Sequence, residues 1–186
     1  MWIADPHIRR YVLRSFHCRK DSTWGPTSDT AIDAWLDQED QHTAQTIRRH
    51  GVYIQYVGGD APRELTPFAY TVGLFGVGHP ELLVVGLDPG SSAAVLNDVA
   101  GRVRGGADLV PGQMLQFEGW AHRVVVEPVP NAGRIAFAAN RFYQRPPEFS
   151  VELLQLTYDD KERRFPWDEG YATPTWIQPR PGDLEV

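Results

Sequence analysis

The stretch FAYTVGLFGVGHPELLVVGLDPGSS, residues 68–92, constrains the fold more than any other part of the chain. Its apolar runs 68–74 and 81–87 have strand length, and the second is apolar at consecutive positions, as in a central strand covered on both faces. Between them stand Gly73, Gly76 and Gly78. A phosphate-binding loop delivers its chain into a helix N-terminus, whose amides hold the anion. These glycines run into another strand, so they predict a hairpin connection with positive φ or close backbone approach. Only after residue 87 does a helix signal follow, with Asp88, Pro89, Ser91 and Ser92 opening it and Gly105-Gly106 ending it.

The flanking patterns extend this picture. A helix is expected from a cap at Ser28 or Asp29 to a stop at His50-Gly51, with Ile32, Trp35, Leu36, Thr43 and Ile47 near one face. VYIQYV (52–57) reads as a strand. GQMLQFEG and AHRVVVEPV read as two strands joined at Gly119, and residues 132–143 as a short helix. VELLQLTYDD (151–160) reads as a further strand with a brief return at RRFPW. Short loops between paired strands, interrupted by two or three helices, predict one α+β domain with a mixed, mainly antiparallel sheet. The expected organisation is an N-terminal arm at 1–27, the domain at 28–171 and an extended or mobile C-terminal tail at 172–186, rich in proline.

Composition narrows the function classes. The chain has 186 residues, the size of a single domain with a real core. Lys and Arg number 18 against 24 Asp and Glu, and the net charge of -6 argues against broad nucleic-acid binding. The longest dense apolar run, 82–87, is far too short to cross a bilayer, and Arg9, Arg10 and Arg14 interrupt the only leader-like stretch, so a cytoplasmic protein is expected. Cys18 is the only cysteine, which excludes an intramolecular disulfide and a Cys-rich zinc site. The histidines show no HxxxH or HExxH spacing, no GxSxG element occurs, and neither a metal nor another cofactor is expected.

The remaining candidates are few. Proline extends the residue before it, so His79 and Glu81, two apart, are expected to face one spot, where a carboxylate-oriented imidazole would serve as a general base. Thr71 shares a face with the small residues Ala69 and Gly73, which leaves room for a helix or a ligand. The amides near Gly90, Ser91 and Ser92, at the second helix's start, suit a phosphate or carboxylate. Arg141, with Arg134 and Arg145, would form an anion clamp on the short helix. Capping, packing and a solvated helix face are the structural alternatives for each of these.

Taken in order, WLDQED…IRRHGVYIQYV, PFAYTVGL, GHPELLVVGL, Leu96-Asn97 and LLQLTYDD…FPWDEGY resemble a bacterial family of domains of unknown function, frequent in actinobacteria. The similarity spans roughly residues 33–171, with FAYTVGL and GHPEL its most specific part. It implies a small stand-alone cytosolic protein and transfers no activity, cofactor or catalytic residue. The function read from the residues is a binding or regulatory module for a small anionic metabolite or a protein partner, at a cleft near His79, Glu81 and the second helix. A hydrolase or transferase using His79, Glu81 and Arg141 is the alternative. A third reading is a structural homodimer embraced by the chain ends.

Overall fold

The computed structural model describes residues 29–184. The N-terminal arm, Cys18 and the Ser28 cap lie outside them. Six strands, β1 (Tyr53–Val57), β2 (Phe68–Val72), β3 (Glu81–Val85), β4 (Met114–Phe117), β5 (Trp120–Pro128) and β6 (Leu153–Tyr158), form one sheet in the order β1-β2-β3-β6-β5-β4. Every neighbouring pair is antiparallel except β3 and β6, which run parallel. The fold is therefore α+β with a mixed, mainly antiparallel sheet.

Helices cover both faces. Helix α2 (Pro89–Arg104) lays Val95, Leu96, Val99, Ala100 and Val103 on Ala69, Leu82, Val84, Val124, Val126 and Leu156. On the opposite face, α3 (Ala132–Ile135) and α4 (Phe137–Phe142) pack Ile135, Ala136 and Ala139 on Phe68, Tyr70, Val72, Leu83, Val85 and Leu153. This is why residues 82–85 are apolar without alternation: all of β3 is buried. Each such fully buried aliphatic side chain stabilises the fold by about 1.5–3 kcal/mol through removal of apolar surface from water.

Helix α1 (Asp29–His50) ends where its sequence suggests, with Gly51 at φ +90 and its N–H donating to Ile47 O. It reaches α4 through Leu36, which packs with Phe137. The expected single helix over 132–143 is instead two short ones, broken at Ala136 with φ -83 and ψ 44. Tyr70 contributes there, its hydroxyl accepting from Ala138 N at 2.9 Å. The return expected at RRFPW is not a strand. Arg164 and Asp160 close a tight turn there instead, through Asp160 N to Arg164 O (2.8 Å) and Arg164 N to Asp160 Oδ1 (2.8 Å).

The C-terminal segment 172–184 forms neither helix nor strand but is held against the sheet. Gln178 and Leu184 are buried, and Gln155 donates to Pro179 O at 2.9 Å. Its prolines and side-chain hydrogen bonds replace the regular ladder.

Candidate functional site

The hairpin between β2 and β3 turns out to bind an anion, and the anion is its own. Gly73 lies at φ +141 and Gly78 at φ +83, with a 3-10 turn Phe75–Val77 between them. This curl points successive amides inward, a concavity that suits an oxyanion. The Glu81 carboxylate fills it, accepting from Gly73 N (2.8 Å), Leu74 N (3.2 Å) and Phe75 N (3.1 Å), and from the Thr71 hydroxyl at 2.6 Å. Thr71 Oγ1 in turn accepts from Leu82 N at 2.9 Å, just where the β2–β3 ladder stops at Tyr70↔Leu83. Gly73 has no alternative here, because a Cβ would lie 2.8 Å from Gly51 O.

Burial pushes the Glu81 carboxyl above its ordinary value, while Thr71 and the loop amides pull it back. Tyr143 roofs the loop: its hydroxyl accepts from Gly76 N at 3.1 Å, and its ring lies 4.9 Å from that of Phe75. Burial and the nearby Glu81 charge push the Tyr143 phenol up to about 12.

His79 is engaged elsewhere. Its Nδ1 lies 2.7 Å from Pro80 O, which can only accept, so Nδ1 carries the hydrogen and Nε2 accepts from Leu109 N at 3.4 Å. Thr71 and Glu81 are thus brought together, whereas the imidazole and the carboxylate each face other partners. A base–carboxylate pair would require both groups to leave those partners.

The anion candidates are similarly occupied. Asp88 Oδ1 accepts from Gly90 N at 2.9 Å and Ser91 N at 3.1 Å, and Ser92 N donates to Asp88 O. The Ser91 interactions hold the Asp88 carboxyl below its ordinary range. Arg141 lies on the opposite sheet face from α2 and joins α4 to α1, 2.9 Å from Asp37 and 3.0 Å from Asp40. Arg145 donates to Phe149 O at 2.6 Å and stands over the Phe75 ring.

Beside His79 opens a cleft of 510 Å³, lined by Pro80, Leu109, Pro130, Gly133, Phe149 and Glu152 among others. Gly133 permits the close approach of Pro147 in its lining, since a Cβ there would lie 2.3 Å from Pro147 O. Phe149 is 69% exposed, and Val110, between the lining residues Leu109 and Pro111, is 55% exposed. Sequence reasoning missed Phe149, Glu148 and Glu152. The signal was PPEF, where two prolines present an aromatic without any helical or strand period to bury it. Among the described residues no three His, Cys, Asp or Glu side chains gather to hold a metal, and no described helix is long and apolar enough to cross a membrane.

This hairpin, sheet and cleft fall within one recognisable unit, because residues 46–172 match the family model described as Domain of unknown function (DUF4262). The chain belongs to the DUF4262 family. The DUF4262 match runs from the end of α1 past β6 and contains every residue lining the cleft, while residues 173–184 lie beyond it. No curated protein and no solved structure matches the chain.

Proposed function

We propose that this DUF4262 protein is a binding module whose cleft beside Pro80 receives an apolar segment of a protein partner carrying Arg or Lys. The carrying observation is the cleft's chemistry: exposed Phe149 stands with exposed Glu148 and Glu152 in its lining, exposed Val110 lies in sequence between the lining residues Leu109 and Pro111, and no Lys, Arg or His lines it. Exposed apolar side chains gathered at one concavity mark association surfaces. Pro80, Pro111, Pro128, Pro130 and Pro147 stiffen the walls, so little conformational freedom is lost on docking. The acidic rim steers a cationic partner. A small anionic ligand has less support, since Asp88 occupies the amides of α2 and Arg141 is paired.

The same reading takes the protein as cytoplasmic and bacterial, of the actinobacterial kind suggested by FAYTVGL and GHPEL. The test is fluorescence anisotropy with a labelled peptide alternating Leu and Arg. Binding is expected to weaken with added salt, to fall at least about tenfold in Phe149→Ser, and to disappear in Glu148→Lys/Glu152→Lys. Equal binding of the Leu and Glu counterpart, or unchanged affinity in those variants, sinks the proposal.

A further inference from the structure

Strands β3 and β6 run parallel but share only Glu81↔Leu153, Leu82↔Leu154 and Leu83↔Gln155. Beyond these pairs each strand is held only by its outer neighbour, β3 by β2 as far as Val85 and β6 by β5 as far as Tyr158, so the two facing edges part and leave a crevice at their carboxyl ends. Such crevices are where open sheets receive ligands. Here the C-terminal segment fills it. Gln178 inserts its carboxamide against the unpaired edge of β6: Tyr158 N donates to Oε1 at 2.9 Å, and Nε2 donates to Tyr158 O at 2.9 Å. Tyr171 OH also bonds Nε2. The side chain therefore does what the missing strand would have done.

The surroundings are built for this occupant. Gly86 at φ +75 admits the chain, since a Cβ there would lie 2.2 Å from Ile177 O. Thr66 donates to Trp176 O, and Arg180 stands 4.8 Å over the Trp167 ring. Beneath the segment the sheet presents polar groups: Thr157 donates to Glu127 at 2.7 Å, and Glu127 accepts from the segment's own Arg180 at 2.6 Å. Gln155 is fully buried, yet its Oε1 has no partner among the described residues, and neither does Arg180 Nε. Water satisfies such atoms when the seam opens, so this closure is cheaper to release than an apolar one.

We propose that this crevice is a recognition site for primary carboxamides, held shut by the chain's own Gln178. The edge at Tyr158 offers one N–H and one C=O side by side. Only a group with an adjacent acceptor and donor satisfies both; a carboxylate meets the carbonyl with like charge, and an ammonium has nothing to accept the N–H. The segment 172–184 is the strap that yields to such a ligand.

Two measurements on the full-length, 15N-labelled chain test this. In Gln178→Ala, propionamide is expected to shift the Tyr158 amide resonance and raise the melting temperature, whereas N,N-dimethylpropionamide, which lacks the donor, does neither. A peptide acid TWIQPRPG run in parallel distinguishes sources: a response to the peptide alone assigns the carboxamide to a protein glutamine, and a response to both extends the site to small amides. No response to either overturns the proposal. In the unaltered chain the Tyr158 amide is expected to exchange at least about tenfold faster than amides within β2 and β3, through an opening short of global unfolding. Exchange only at the global rate overturns the strap whether or not Gln178→Ala folds.

Discussion

At the scale of single residues, Glu81 shows how a side chain that looks catalytic becomes architectural. Its carboxylate has four short-range donors and no exposure, so replacing it leaves buried amides facing the wrong group. Glu81→Gln presents an NH2 to that concavity, and urea unfolding is expected to show a loss of about 1–3 kcal/mol. The pH dependence has a definite sign. Burial raises the folded value above the ordinary 4.5, so the folded chain holds the proton more tightly than the unfolded one. Its favourable contribution is complete below about pH 4.5 and fades as pH rises through the folded value. Gln does not titrate, so the advantage of wild type over Glu81→Gln should shrink with rising pH. An advantage that grows would mean that the four donors outweigh desolvation.

Among elements, the two glycines Gly78 and Gly86 make an instructive contrast. Both have positive φ, but a Cβ on Gly78 meets open space, whereas one on Gly86 strikes the backbone at Ile177. Gly78→Ala is expected to cost about 1 kcal/mol, from left-handed geometry alone. Gly86→Ala should cost about 1–3 kcal/mol and also expel residues 176–178, so the Tyr158 amide loses protection only in that variant. Chemical denaturation with hydrogen exchange separates the two. The hairpin was legible because glycine spacing and apolar runs are local signals. The filled concavity was not, because Glu81 lies beyond the loop it satisfies, and only the fold returns it to Gly73.

For the whole molecule, stability resides in two apolar layers, whereas the proposed association belongs to the cleft, and the two should separate experimentally. Leu83 touches the α3–α4 layer and is fully buried, so Leu83→Ala is expected to lose about 2–5 kcal/mol. Phe149→Ser, at an exposed position, should leave the unfolding midpoint nearly unchanged while peptide binding falls. Equal destabilisation by both would mean that Phe149 is part of the core.

Periodicity, glycine placement and the Asp88 cap were enough to determine that this chain forms a mixed sheet packed with helices around a strand covered on both faces, because each of those signals acts within a few residues. Which polar groups meet was decided only by tertiary structure. Glu81 found Thr71 and the loop amides, His79 found Leu109, Arg141 found Asp37 across two helices, and Gln178 found the unpaired edge of Tyr158. The last pairing spans twenty residues and depends on where β3 and β6 part. Hydrogen bonds of this kind reward proximity in space, and local sequence carries no record of it.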